Sequence, residues 1–88
     1  MTPEMHHALS NPDRIAIMDY LAAIPSRQNI SHSASVTEIA VAIKNSPTNT
    51  TKHLTKLAKA GLITRKQEKQ TVWNTIAPGI VWPIVWRR

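Results

Sequence analysis

The side chains with the most chemistry to offer lie between residues 48 and 59: Thr48, Asn49, Thr51, Lys52, His53, Lys56 and Lys59. On a helix turning about 100° per residue, Thr48, Asn49, Lys52, His53, Lys56 and Lys59 share one sector. Thr50, Leu54, Leu57 and Ala58 share the opposite one. Amides, hydroxyls and ammonium groups in this arrangement suit contact with base edges and phosphates. Carboxylates are few and scattered, and no serine, histidine and aspartate suggest a catalytic set, so no enzyme is expected. The chain has no cysteine, which excludes disulfides, thiolate metal sites and cysteine nucleophiles. His6, His7, His32 and His53 include no pair at the four-residue spacing that brings two imidazoles to one ion. They read as surface groups, and neither a metal nor a cofactor is expected.

The charge distribution says what the partner is. Residues 1–43 carry Arg14 and Arg27 against Glu4, Asp13, Asp19 and Glu38, whereas residues 44–88 carry nine Lys and Arg against Glu68 alone. That half holds Lys44, Lys52, Lys56, Lys59, Arg65, Lys66, Lys69, Arg87 and Arg88, a concentration suited to a polyanion. A lysine-rich helix face is more often just a solvated one. Here it coincides with a helix pair joined by a tight turn, which favours contact with DNA. The chain has only two glycines, so a phosphate-cradling glycine loop is excluded.

The elements that must position these groups follow from local signals. Thr2-Pro3-Glu4 starts a short helix through about Leu9. Asn11-Pro12-Asp13 caps a central helix from Asn11 to Ile24, with Ile15, Met18 and Ala22, and Ile17, Leu21 and Ile24, at helical spacing. Pro25 ends it, and Ser26 to Ser33 reads as a polar loop. Val36 leads from an extended stretch into a helix over Thr37 to about Lys44, capped by Thr37 or by Ser35 with Glu38 in a capping box. After the turn Lys44-Asn45-Ser46, Ser46-Pro47 opens a helix that stops near Ala60. Gly61 takes the left-handed position beyond it, and Leu62 returns to meet Leu57. Two extended runs, Ile63–Lys66 and Thr71–Ile76, flank a hairpin tip at Gln67–Gln70. The expected fold is mainly helical with a small β-hairpin, a winged helix-turn-helix. It forms one domain over residues 1–88, with a core at about 8–76 and a C-terminal tail at 77–88. A chain this short buries only about 60–65% of its unfolded surface, so dimerisation would help it.

Three segments resemble the ArsR-type winged-helix repressors and, more loosely, their MarR-type relatives. They are Ala8-Leu9-Ser10-Asn11-Pro12-Asp13-Arg14-Ile15, then Ser35-Val36-Thr37-Glu38-Ile39-Ala40, then Lys52-His53-Leu54-Thr55-Lys56-Leu57-Ala58-Lys59-Ala60-Gly61-Leu62-Ile63. The third looks like the family's recognition helix and exit turn, with His53 at its histidine position. Soft-metal sensors of the family carry Cys-Val-Cys where this chain has Ser35-Val36-Thr37, and hydroxyls are poor ligands for such metals. The family usually ends in a long dimerisation helix; residues 77–88 follow the wing here.

The expected function is therefore a DNA-binding transcriptional repressor, prokaryotic or from a mobile element, acting as a homodimer that occludes a promoter. Thr48, Asn49 and Lys52 would read base edges, with Thr51 and His53 beside them. Lys56 and Lys59 would meet phosphate, and Arg65, Lys66 and Lys69 on or beside the hairpin tip would lie along the backbone or minor groove. Trp73 is expected to pack onto the body. In the tail, Trp82, Ile84 and Trp86 either patch the core or form a dimer interface. Two other functions compete: a protein-binding winged helix using the tryptophan tail, and a metal-responsive repressor using the histidines. No targeting signal is evident, and Ile76–Trp86 falls well short of the roughly 20 apolar residues a membrane span needs. A cytoplasmic protein is expected.

Overall fold

In the computed structural model, which describes residues 2–24 and 33–83, each helix begins where a side chain replaces a missing backbone partner. Helix α1 spans Pro3–Ala8, and Thr2 Oγ1 accepts from the Met5 amide at 3.1 Å. Helix α2 spans Pro12–Ala23, with Asn11 Oδ1 accepting from the Asp13 and Arg14 amides at 2.8 and 3.3 Å. Its inner face buries Ile17, Met18 and Leu21 completely, and it packs against two later helices and a strand, as its wide apolar sector requires. Pro25 and His32 lie outside the described residues.

Strand β1, Ser33–Ser35, runs directly into helix α3, Val36–Ile43. Ser33, expected at the end of a polar loop, opens this strand by pairing with Thr75. Ser35 closes it and caps α3 in a full capping box. Its Oγ accepts from the Glu38 amide at 3.2 Å, and its own amide donates to Glu38 Oε1 at 3.0 Å. Ser35 rather than Thr37 is thus the cap, and Val36, expected to be extended, is the first helical residue. The turn after α3 is closed by Asn45 N–H to Ala40 O and Lys44 N–H to Val41 O, with Lys44 left-handed at φ 57° and ψ 48°.

Helix α4 spans Pro47–Lys59, capped by Ser46 Oγ on the Asn49 amide at 3.1 Å. It ends as its sequence predicts. Gly61 adopts φ 85°, and the Leu62 amide donates to Leu57 O at 3.0 Å. Leu54, Leu57 and Leu62 join Ile17, Met18, Leu21 and Ile39 in the fully buried core. Each such side chain contributes about 1.5–3 kcal/mol through removal from water.

Strands β2, Ile63–Glu68, and β3, Thr71–Ile76, form the wing, and the antiparallel sheet has the order β1-β3-β2. β2 is longer than expected because Gln67 and Glu68 pair with Val72 and Thr71. The tip therefore shrinks to Lys69-Gln70, with Lys69 at φ 56°. Arg65 pairs with Asn74 on one face, and Lys66 pairs with Trp73 on the other. The expectation that Trp73 packs onto the body is accordingly corrected. Its register puts it on the face opposite buried Asn74, where it lines a shallow hollow with Glu68, Lys69 and Thr71. Of the two described tryptophans it is Trp82 that reaches the body: it packs on the core with Ile80, and its Nε1 donates to Asp19 Oδ1 at 2.7 Å. Ile84 and Trp86 lie outside the described residues.

Thr50 is fully buried on the inner face of α4, and its Oγ1 has no hydrogen-bond partner among the described residues. A buried hydroxyl without a partner is destabilising, while a methyl of the same shape is not. Thr50→Val should therefore raise stability by about 1 kcal/mol, seen as a Tm increase of about 4–8 °C for a domain of this size. An unchanged or lower Tm would show the hydroxyl to be satisfied.

Candidate nucleic-acid interface

The exposed side of α4 carries Thr48, Asn49, Thr51, Lys52, Lys56 and Lys59, while Thr50, Leu54 and Leu57 are buried beneath it. Helix α4 thus presents polar and cationic groups to solvent from a rigid, capped backbone. Its N-terminal turn holds no acidic residue, so the positive end of the helix dipole is left uncompensated there.

His53 departs from the expected outer position. Its half-buried ring points toward the start of α2, where Nδ1 faces Arg14 Nη1 at 3.2 Å and Nε2 lies 3.6 Å from Asp13 Oδ2. A guanidinium only donates, so Nδ1 must accept and the ring proton sits on Nε2, toward the carboxylate. Arg14 is itself buried, and its Nε donates to Ala8 O at 2.6 Å. One guanidinium therefore ties the end of α1, the start of α2 and the middle of α4 together. Asp13 Oδ2 also accepts from Asn45 Nδ2 at 3.2 Å. Asn45 Oδ1 in turn accepts from the Ser46 amide at 2.8 Å and from Asn49 Nδ2 at 3.2 Å.

The wing is fixed to this helix by a second polar junction. Asn74 is fully buried, with Nδ2 donating to Ala34 O at 3.0 Å and Oδ1 accepting from Arg65 Nε at 2.8 Å. Arg65 Nη1 also reaches Thr55 Oγ1 at 3.5 Å. Arg65, expected as a wing cation, turns out to brace β2 against both β3 and α4. Lys66 and Lys69 are exposed; Lys66 lies 3.9 Å from Glu68 in an exposed pair, of the kind that contributes little.

The structure therefore brings Thr48, Asn49, Thr51, Lys52, Lys56 and Lys59 onto one face, leaves Lys66 and Lys69 on the wing, and turns His53 and Arg65 inward. Arg14, Asp13, Asn45 and Asn74 support that face. Sequence reasoning treated Asp13 and Asn45 as cap and turn residues, took Arg14 only as a charge and as part of the family resemblance, and did not single out Asn74. Among the described residues, no group of three or more histidine and acidic side chains is placed to hold a metal ion. At the position where soft-metal sensors carry cysteine, Ser35 Oγ is engaged in the capping box.

The helix-turn-helix domain family matches residues 9–66, from the end of α1 into the wing. The chain belongs to that family. Its structural relatives include the homodimeric winged helix-turn-helix DNA-binding domain of a possible ArsR-family regulator from Mycobacterium bovis. That domain is 27% identical over 84% of this chain, with a TM-score of 0.71. The alignment spans 61% of the mycobacterial chain. Two further neighbours share the fold at lower identity. HlyU from Vibrio cholerae is 24% identical, covering 86% of this chain and 72% of its own, with a TM-score of 0.67. The cadmium sensor CMTR from Mycobacterium tuberculosis is 20% identical, covering 89% and 73%, with a TM-score of 0.67. No curated protein matches the chain. The helix-turn-helix family has a DNA-binding regulator fold, not an enzyme fold. The winged helix expected from the residues is the fold observed, and no described helix is long and apolar enough to cross a membrane.

Burial lowers the pKa of His53 below its ordinary 6.5; Arg14 adds to the effect, Asp13 opposes it and Lys56 lowers it further. The folded chain thus binds the proton less readily than the unfolded chain does. The stability that depends on neutral His53 is complete above pH 6.5, falls as pH drops through that value, and levels off below the folded pKa. Between pH 7.5 and 5, wild type should therefore lose more unfolding free energy than His53→Gln, measured by urea melts at each pH. Parallel losses in the two proteins would show that His53 does not titrate with folding.

Proposed function

We propose that this helix-turn-helix protein is a sequence-specific DNA-binding transcriptional repressor that acts as a homodimer and occludes a promoter. The observation that carries the reading is the division of α4, whose buried side is apolar but for Thr50 and whose exposed side carries Thr48, Asn49, Lys52, Lys56 and Lys59. The start of a recognition helix approaches base edges, which gives Thr48, Asn49 and Lys52 the reading role, with Thr51 beside them. Asparagine pairs bidentately with adenine, and lysine reaches guanine O6 or N7. Lys56 and Lys59, further along the helix, neutralise phosphate. Lys66 and Lys69 extend that cationic surface along the wing and add affinity without base preference. Arg65 and His53 act from behind, holding the wing and the helix in place.

The homodimer rests on the mycobacterial relative, whose matching domain is homodimeric. Two reading helices related by a two-fold axis would meet half-sites about 34 Å apart, one helical turn of the duplex. Selection of bound duplexes from a random pool, followed by sizing of the complex, tests both statements. A palindromic consensus bound by two chains is expected, and retention of a protein partner without DNA affinity would overturn the reading.

The contact classes separate under salt. Asn49→Ala should relax base preference at one position of the site and leave the salt dependence unchanged. Lys69→Gly suits the positive-φ turn yet removes a charge. It should weaken all sequences alike and reduce the slope of log K against log[salt] by about 0.9. Gel shifts at stepped salt measure both, and a sequence-selective effect of Lys69→Gly would count against the division.

A further inference from the structure

We infer that Asn45 and Asp13, neither of which lies on the reading face, make Asn49 select adenine against guanine by occupying one of its two amide hydrogens. The inference rests on the DNA-reading role proposed for Asn49 and adds a second layer behind it.

The argument begins with the carboxylate. An ionised Asp13 side chain only accepts hydrogen bonds, so the atom of Asn45 that meets its Oδ2 at 3.2 Å must be the amide nitrogen. The Asn45 carboxamide is thereby held in one of its two orientations. The Ser46 backbone amide fixes the same choice from the other end, since it only donates and lies 2.8 Å from Asn45 Oδ1. What Asn45 offers to Asn49, one turn into the next helix, is therefore an acceptor. Asn49 meets it with Nδ2 at 3.2 Å. The orientation of the exposed amide is thus set by a chain of partners that runs back to the start of α2.

This has a consequence for base recognition. A free asparagine has two N–H donors and one carbonyl acceptor. With one N–H given to Asn45, Asn49 retains its Oδ1 and a single N–H. Adenine presents an acceptor, N7, and a donor, the N6 amino group, in the major groove; guanine presents two acceptors, N7 and O6. The remaining groups of Asn49 satisfy both adenine atoms. They satisfy only one of the guanine acceptors and set its carbonyl oxygen near the other. Removing Asn45 returns the second N–H and lets the amide turn, which admits guanine. The positioning residues thus act by withholding a donor, with no contact to the duplex.

Gel shifts on the selected site test this, using duplexes with adenine or guanine at the position where Asn49→Ala loses preference. Wild type should favour adenine by on the order of tenfold. Asn45→Ala should bring the two bases within about threefold, by strengthening binding to guanine, with the salt slope unchanged. Far-UV circular dichroism and a thermal melt of each variant confirm that it is folded under the assay conditions. An Asn45→Ala protein with the wild-type ratio overturns the inference. So does a specific wild-type complex in which Asn49→Ala changes no position; the DNA-binding reading stands in both cases. A wild-type protein with no sequence-specific complex overturns both.

Discussion

A buried guanidinium sits where α1, α2 and α4 meet, and the placement of α4 depends on it. Arg14 donates to the Ala8 carbonyl and to the His53 ring, so a charge removed from water is met by acceptors from two other parts of the chain. Burying such a charge costs several kcal/mol before compensation, and removing either acceptor takes away part of that compensation. The three helices are consequently coupled: α4 cannot shift along α2 without breaking contacts that the guanidinium needs. Apolar packing alone, between Leu54, Leu57 and the α2 face, tolerates small slides because it is non-directional. The polar contacts supply the direction.

The wing is held by the same logic. Asn74 makes one hydrogen bond to β1 and one to Arg65, so the strand in the centre of the sheet joins the strand before α3 to the strand after α4. Both junctions lie behind the exposed face. The face itself carries few internal contacts beyond the Asn49–Asn45 hydrogen bond, which leaves its lysines exposed.

Much of this architecture was readable in the residues because the relevant signals are local. Asn11-Pro12, Ser46-Pro47, the Ser35/Glu38 pair and Gly61-Leu62 each act within a few positions of themselves, and each set a helix end where expected, or one residue earlier in the case of Ser35/Glu38. What escaped involves contacts distant in sequence. His53 has the spacing of an outward residue, yet partners 39 and 40 positions earlier draw its ring inward. Arg65 reads as a wing cation until Asn74 is known to be buried beside it. Trp82 finds Asp19 across most of the chain, and no periodicity encodes that meeting. The length of the hairpin was misjudged for a related reason: Gln67 and Glu68 have little intrinsic strand preference, and their pairing with β3 decided the matter.

Lysine occupies the left-handed position at both turns bordering the exposed face, Lys44 after α3 and Lys69 at the hairpin tip. A residue with a Cβ is about 1–2 kcal/mol less comfortable there than elsewhere, so these turns sit nearer than their surroundings to local opening. The folded chain thus places two such backbone positions at the margins of the surface, on either side of the capped and clasped helix. On the proposed DNA-binding reading, adjustment to a duplex of imperfect groove width would fall to those two turns, with the register of the contacts from α4 preserved.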